Sequence, residues 1–119
     1  MEKKKKILIV DDEEVILFLY REELEEEGFT VETALNGELA LRQFEAAPPD
    51  LVILDINMPG MNGIEVLRQM KERNCGLPVI LSSAYPEYKQ DFGTWASDEY
   101  IVKSANTADL KAAVHKYLD

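Results

Sequence analysis

The stretch ILIVDDEE, residues 7–14, places four apolar residues directly before four acidic ones. A short run of branched apolar residues is typical of a strand that is buried on both faces of a parallel sheet. Two carboxylates about 4 Å apart repel each other by roughly 4 kcal/mol at an effective dielectric constant of about 20. A buried strand that ends in this much negative charge therefore needs a positive group or a bound cation at its end.

The composition of the chain limits its class before any other motif is considered. Its 119 residues are 46% hydrophobic and 30% charged, which predicts one globular domain over residues 1–119. The net charge of −10 argues against direct nucleic-acid binding, because phosphate backbones attract basic surfaces. No apolar run approaches the ~20 residues of a membrane span, and there is no signal-peptide pattern. With Cys75 as the single cysteine, we expect a cytoplasmic protein in a reducing compartment.

Apolar runs and helical periodicities alternate along the chain. Asp12 is predicted to cap the first helix, because aspartate at this position accepts backbone N–H groups. The weakest helical prediction lies between Pro86 and Trp95, which contains Gly93 and no clear apolar stripe. The predicted strands are residues 7–11, 29–34, 51–55, 78–82 and 100–103, and the other predicted helices are residues 12–28, 38–47, 63–74 and 106–118.

Five strands that alternate with helices predict an α/β fold, with a parallel sheet covered by helices on both faces. The runs ILIV (residues 7–10) and LVIL (residues 51–54) are the most apolar, so they should be the central strands. This gives a doubly wound, flavodoxin-like sheet of order 2-1-3-4-5, with its switch point between the first and third strands. Ligands of such sheets bind at the carboxyl ends of the strands, at that switch point.

Polar and charged residues follow the apolar part of four predicted strands. Because the carboxyl ends of parallel strands meet at one edge of the sheet, three carboxylates, a hydroxyl and an ammonium group should converge there. A site of this kind, with oxygen ligands and no Cys or His, favours Mg²⁺. These residues are Asp11 and Asp12 after the first strand, Asp55 after the third, Ser82 and Ser83 at the fourth, and Lys103 at the fifth.

Four motifs in order make the chain similar to a known family. They are ILIVDDE, LVILDINMPGMNG, VILSSAY and YIVK, and together they extend over essentially the whole sequence. The chain resembles the response-regulator receiver domains, the CheY-like family of two-component signalling. The resemblance implies a domain that accepts a phosphoryl group from a sensor histidine kinase or a histidine phosphotransfer protein and then alters a protein-interaction surface. It implies no turnover of a small molecule.

The resemblance also assigns roles to individual residues. Asp55 is implied to be the phospho-acceptor, in a reaction that depends on Mg²⁺, with Mn²⁺ as an alternative. Asp12 is implied to bind the metal directly, Asp11 through water, and Asn57 through its backbone carbonyl. Ser83, chosen because Ala84 follows it, and Lys103 are implied to contact phosphoryl oxygens. Tyr100 matches the aromatic residue that turns inward on activation.

The chain departs from the family pattern after Lys103. Receiver domains usually have a cis proline at the next position, whereas this sequence has Ser104. A cis bond to a non-proline residue costs about 3 kcal/mol, so we expect this loop to differ or to carry strain. The downstream partner is expected to bind the face formed by the helix between Pro86 and Trp95, the fifth strand and the last helix.

The first helix is more apolar than one buried face requires. At about 100° per residue, Ile16, Tyr20 and Leu24 share the core side. One interpretation of the remaining apolar residues is scattered surface exposure, with Leu19 at the border of the core. We favour a docking stripe for the histidine-bearing helix of a kinase. Its residues, which should point away from the core, are Val15, Phe18, Leu19 and Glu22.

Three other readings compete with a phosphorylated receiver. A haloacid-dehalogenase-type phosphatase would need a D-x-D motif, but the sequence DIN provides Asn57, which cannot transfer a proton at neutral pH. A flavodoxin-like cofactor carrier would need a phosphate-binding loop where this chain has DDEE. A pseudo-receiver, folded but never phosphorylated, is the structural alternative, and the complete acidic set argues against it.

Overall fold

The computed structural model describes residues 4–56, 58, 60, 63–84, 98–103 and 107–118 of the chain. Within that part, a helix follows each of the first three strands and the last strand, as the apolar patterns predict. The helix predicted between Pro86 and Trp95 lies outside the described residues. None of the helices described has the length and apolar character needed to cross a membrane. The strands are β1 (Lys6–Val10), β2 (Thr30–Ala34), β3 (Leu51–Asp55), β4 (Val79–Ser83) and β5 (Glu99–Val102), and the helices are α1 (Glu14–Glu26), α2 (Gly37–Ala46), α3 (Gly63–Arg73) and α4 (Ala108–Leu118).

The strands of the described part form one parallel sheet in the order β2-β1-β3-β4-β5. β1 and β3 are neighbours, with Ile7 beside Leu51 and Val10 beside Leu54. Every residue of β3 and β4 is buried, and only Lys6 of β1 is partly exposed. The predicted doubly wound order, with its switch point between β1 and β3, is therefore confirmed.

Helices cover both faces of the sheet, and each face has its own apolar core. Alternation along β1 divides its side chains between the two cores. Leu8 and Val10 point to the α2/α3 face, whereas Ile7 and Ile9 point to the α1/α4 face. The α2/α3 face is completed by Ala40, Leu41, Phe44, Val66, Leu67 and Met70, and the α1/α4 face by Leu17, Tyr20, Leu24, Leu110, Ala113 and Val114.

The first turn of α1 is held differently from the prediction. Asp12 was expected to be the N-cap, but the N-cap is Glu13, and its side chain makes no capping hydrogen bond. The Glu13 amide instead donates to Asp11 Oδ1 at 2.9 Å. The prediction is therefore wrong because the carboxylate that meets the start of α1 is the one that ends β1. In α2 the N-cap side chain does bind the first turn, since Asn36 Oδ1 accepts the Leu39 amide at 2.9 Å.

Gly63 brings the first turn of α3 directly against the end of β3. Its amide donates to the Ile56 carbonyl oxygen at 2.8 Å. A Cβ atom at this position would overlap backbone atoms of Asp55 and Ile56. The backbone that carries Asp55 is therefore fixed by a helix start that only glycine allows.

Candidate functional site

Three aspartates come together at the carboxyl ends of β1 and β3. Carboxylate oxygens of Asp11, Asp12 and Asp55 all lie within 4.8 Å of one another. Asp11 and Asp55 are buried, with 2% and 3% of their surface exposed, and Asp12 is exposed. The sheet creates this cluster because β1 and β3 are adjacent and parallel, so both strands end at the same edge. The cluster therefore consists of two buried carboxylates and a third that faces solvent.

Lys103 is the positive group that faces these acids. Its Nζ atom lies 2.7 Å from Asp11 Oδ2, 3.4 Å from Asp55 Oδ2 and 3.2 Å from Glu13 Oε1. The Lys103 side chain is only 9% exposed. The sequence predicted that Lys103 meets the aspartates, but it did not predict the contact with Glu13. The only signal for Glu13 was its place in the run DDEE.

Burial and ion pairing act in opposite directions on the two central partners. Burial raises the pKa of Asp11, although Lys103 and the Glu13 amide oppose that change. Burial alone would lower the pKa of Lys103, but Asp11, Asp55 and Glu13 together raise it above its ordinary value. Lys103 is therefore charged at any pH near neutrality. Without a second cation, the buried carboxylates are only partly compensated.

The two serines at the end of β4 point to opposite faces of the sheet. Ser82 follows Ile80 on the α1/α4 face and lies beside Asp55 in the β3–β4 register. Ser83 follows Leu81 toward the α2/α3 face and is 1% exposed. The Ser83 carbonyl oxygen accepts the Lys103 amide at 2.7 Å, which ties the ends of β4 and β5 together.

Tyr100 lies on the α2/α3 face, the side toward which Ser83 points. It is half-buried, packs against the apolar core of that face and pairs with Leu81 across the β4–β5 register. The structure thus places the two residues implied to form the switch on the same side of the sheet. The backbone carbonyl of Asn57 and the bond between Lys103 and Ser104 lie outside the described residues.

The outward face of α1 exposes three of the four residues that were predicted to point away from the core. Val15 and Phe18 are 77% and 67% exposed, and Glu22 is also exposed. The prediction that Leu19 points away from the core is wrong, because Leu19 is half-buried and packs against the α1/α4 core. Leu17, which the helical projection did not place on the core side, is buried. The helix is rotated so that its buried residues are Leu17, Tyr20 and Leu24.

The donor set of the cluster fits a hard cation. Carboxylate oxygens are the ligands that Mg²⁺ prefers, and no Cys or His belongs to the cluster in the part of the chain described. Asp12 is the exposed member, while Asp11 already accepts hydrogen bonds from Lys103 and the Glu13 amide. The cluster thus offers one accessible carboxylate and two oriented ones.

Comparison with known sequences places the chain among signalling proteins. Residues 7–115 match the sequence profile described as the response regulator receiver domain. The phosphate regulon transcriptional regulatory protein PhoB of Rhizobium meliloti is 39% identical over 84% of this chain and 46% of its own length. The sporulation initiation phosphotransferase F of Bacillus subtilis is 38% identical over 84% of this chain and 82% of its own length. The chain spans less than half the length of the first curated relatives it matches, 46% of one and 42% of the next.

Two solved structures are similar over nearly the whole chain. The response regulator protein TrrA of Thermotoga maritima, crystallised in complex with Mg²⁺ and BeF, matches with a TM-score of 0.93 at 49% identity. That match covers 96% of this chain and 99% of TrrA. A structure of the histidine kinase ThkA in complex with TrrA contains a chain that matches with a TM-score of 0.90 at 49% identity. That match covers 97% of this chain and 99% of the matched chain. The resemblance carried by the sequence motifs is confirmed in both sequence and fold.

Proposed function

The chain belongs to the response regulator receiver domain family, the phospho-accepting signalling domains of two-component systems, and we propose that Asp55 is its acceptor. A carboxylate oxygen of Asp55 attacks the phosphorus of a phosphohistidine on a sensor histidine kinase or a histidine phosphotransfer protein. The new O–P bond forms as the P–N bond breaks, and the imidazole leaves with the electron pair. The observation that carries this proposal is the position of Asp55, buried at the end of β3 between two other aspartates and Lys103.

The acidic cluster is the proposed site of Mg²⁺. Asp12 is assigned as a direct ligand because its side chain is exposed, and Asp11 as a ligand through water because Lys103 and the Glu13 amide already hold it. When bound, the cation supplies neutralisation of charge on the phosphoryl oxygens. The carbonyl of Asn57 remains a predicted ligand, and Mn²⁺ an alternative metal. The Mg²⁺–BeF complex of TrrA supports this assignment by similarity.

Lys103 is proposed to exchange one of its present partners for a phosphoryl oxygen. An ammonium group has three hydrogens, and those of Lys103 face Asp11, Glu13 and Asp55. The Glu13 side chain is 60% exposed, and ion pairs to exposed groups contribute little stability. The Glu13 contact is therefore the one that costs least to lose. Lys103 thus gains a phosphoryl oxygen and keeps its bond to Asp11.

Ser83 and Tyr100 are proposed to convert phosphorylation into a change of surface. Phosphorylation replaces the single negative charge of the Asp55 carboxylate with a phosphoryl group of about −1.5 to −2 charges. The Ser83 hydroxyl is proposed to move toward this group and to donate a hydrogen bond to one of its oxygens. Since Ser83 and Tyr100 point to the same face of the sheet, movement of the serine leaves space into which the half-buried tyrosine can turn. The face predicted to change comprises β5, α4 and the segment between Pro86 and Trp95, and a downstream protein would bind there.

The exposed side of α1 is proposed as the contact for the phosphodonor protein. Val15 and Phe18 follow Asp12 within a few residues along the chain, and both present apolar surface to solvent. Exposed apolar patches beside a reaction centre are typical of protein contact sites. Glu22 continues this face, and Leu19 borders it from its half-buried position. The complex of the kinase ThkA with TrrA supports a kinase as the partner class by similarity.

Phosphorylation without a partner protein tests the proposal. Acetyl phosphate with Mg²⁺ should add one phosphoryl group to the wild-type chain, detected by intact-mass analysis. The addition should be absent in Asp55→Asn and in the presence of a chelator, and unchanged in Asp109→Asn, which alters an exposed aspartate on α4. We expect that the chain does not hydrolyse a small phosphomonoester with repeated turnover. A mass that never changes would leave the chain as a pseudo-receiver, and rapid turnover would make it a phosphatase.

A further inference from the structure

Tyr20 is a polar-tipped residue in an otherwise apolar helix–sheet interface. It lies in the middle of α1, is 2% exposed and packs with Ile53 and Ile80 on the α1/α4 face. Along β3 and β4, the residues that continue this face beyond these isoleucines are Asp55 and Ser82. The ring of Tyr20 therefore packs against the sheet just below the acceptor site.

Ser82 is the second unusual residue of this region. It is 1% exposed, and its neighbours on the adjoining strands are Asp55 and Ile101. Its Oγ atom is buried and makes no hydrogen bond of acceptable geometry within the described part of the chain. An apolar residue would fit such a position without leaving a hydroxyl unpaired, since buried polar groups in native structures are nearly always hydrogen-bonded. A buried, unpaired hydroxyl beside the acceptor therefore calls for an explanation.

The hydroxyl groups of Tyr20 and Ser82 are neighbours. Burial raises the pKa of Tyr20, while the nearby Ser82 hydroxyl and the charge of Lys103 oppose that rise, and Asp11 and Asp55 add to it. The Tyr20 hydroxyl thus lies within electrostatic reach of the ammonium and both buried carboxylates of the site, and it remains protonated near neutral pH. A protonated tyrosine is a hydrogen-bond donor, and a serine hydroxyl can accept one hydrogen bond while donating another.

We infer that Tyr20 and Ser82 are positioning residues for Asp55. They form a chain of two hydrogen bonds, in which the Tyr20 hydroxyl donates to Ser82 Oγ and the Ser82 hydroxyl donates to the Asp55 carboxylate. This inference rests on the proposed role of Asp55 as acceptor. Rotation of the Ser82 side chain about one bond changes the direction of its hydroxyl without moving the sheet. The hydrogen bond fixes the rotamer of the carboxylate, which favours in-line attack on phosphorus. Tyr20 and Ser82 touch neither the metal nor the phosphoryl group and act only through Asp55.

Matched substitutions at each hydroxyl test the inference. Tyr20→Phe removes only the phenol oxygen, and Ser82→Val and Ser82→Thr differ from each other in a single hydroxyl at nearly equal volume. We expect the maximal rate of Asp55 phosphorylation by acetyl phosphate at saturating Mg²⁺ to fall about fivefold in Tyr20→Phe and in Ser82→Val. Ser82→Thr should retain a rate near that of wild type. The double variant Tyr20→Phe/Ser82→Val should be no slower than either single variant, because both interrupt one chain of hydrogen bonds.

The control is Tyr117→Phe, which removes a hydroxyl far from the site that donates to the Asp98 carbonyl oxygen at 2.6 Å. It should leave the rate unchanged, and Ser82→Ala replaces the β-branched pair if either fails to fold. Thermal unfolding is measured in parallel, because a purely structural role would lower the melting temperature without changing the rate constant of the folded protein. Equal rates in wild type, Tyr20→Phe and the variants without a Ser82 hydroxyl would overturn the inference alone. Failure of wild type itself to become phosphorylated would overturn it together with the proposed function.

Discussion

Asp11 and Lys103 form a buried ion pair, with Asp11 Oδ2 lying 2.7 Å from Lys103 Nζ. The two residues follow β1 and β5, which are separated in the sheet by β3 and β4. The pair therefore spans the crevice at the carboxyl ends of the strands and passes beside Asp55, 3.4 Å from the same ammonium group.

Mg²⁺ should stabilise the folded chain. A cation that binds only the native state at one hundred times its dissociation constant adds about 2.7 kcal/mol to the free energy of unfolding. We expect a rise in melting temperature with Mg²⁺ in wild type and a much smaller one in Asp12→Asn, which loses the exposed carboxylate of the cluster. Differential scanning calorimetry with and without a chelator measures both. An equal rise in the two proteins would move the metal away from Asp12.

Without a metal, Asp11→Asn should be more stable than wild type near neutral pH. Burial raises the pKa of Asp11 in the folded state, so the folded state holds the proton of this carboxyl group more tightly than the unfolded state does. The stability contributed by that proton is present below the ordinary value of 3.8 and is lost as the pH rises through the raised pKa. Neutral pH therefore imposes the cost of burying this charge. Asn removes that cost, while Lys103 keeps Glu13 and Asp55 as ion-pair partners.

Urea denaturation of Asp11→Asn and wild type, in chelator and across pH, measures this difference. The advantage of the variant should shrink as the medium is acidified, because the wild-type carboxyl then becomes neutral as well. A variant less stable than wild type at neutral pH would mean that the ion pair with Lys103 outweighs the cost of burial.

Phe18→Glu should slow transfer from a kinase without changing phosphorylation by acetyl phosphate. Phe18 is 67% exposed, so the substitution leaves the core intact and removes only apolar surface beside the site. We expect at least about a tenfold loss in the rate of transfer, since central aromatic contacts often contribute more than 1 kcal/mol to binding. Leu39→Glu, at an exposed leucine of α2, is the control. Equal losses in the two variants would indicate a nonspecific effect of charge.

Beryllofluoride with Mg²⁺, which imitates the phosphorylated state, should change amide hydrogen exchange around Tyr100. Ser83 reports the new group because its side chain is buried at the end of β4 and its carbonyl oxygen holds the Lys103 amide. The change should shrink in Ser83→Ala and vanish in Asp55→Asn. Exchange that is identical with and without beryllofluoride, at demonstrated saturation, would place the responding surface elsewhere.

The sequence predicted the sheet because its signals were strong and local. Runs such as ILIV and LVIL are typical of buried strands, and adjacent parallel strands bring Asp11, Asp12 and Asp55 to one edge. The cap of α1 and the side on which Leu19 lies were predicted wrongly. Both depend on how the start of the helix is attached to the sheet. The Glu13 amide donates to Asp11 Oδ1, and this contact between the helix start and the strand end has no signature in the apolar pattern.

The sequence patterns also did not predict the contacts that long side chains make. Periodicity placed Tyr20 in the core, which the structure confirms, but it gave no indication that the phenol oxygen lies near Ser82 and within electrostatic reach of the charged site. Likewise, the flexible side chains of Glu13 and Lys103 meet across the open crevice from residues far apart in the chain. Such contacts are set by the three-dimensional path of the sheet rather than by spacing along the sequence.

The close approach of Gly63 to the backbone of Asp55 and Ile56 limits how this protein can change in evolution or by design. Every residue with a Cβ would collide with the strand end that presents the acceptor, so position 63 admits no gradual series of substitutions. Insertions or deletions between Asp55 and Gly63 would have to preserve this contact. The number of residues between the acceptor and the glycine is therefore fixed by this contact. Chimeras of receiver domains should be joined outside this interval.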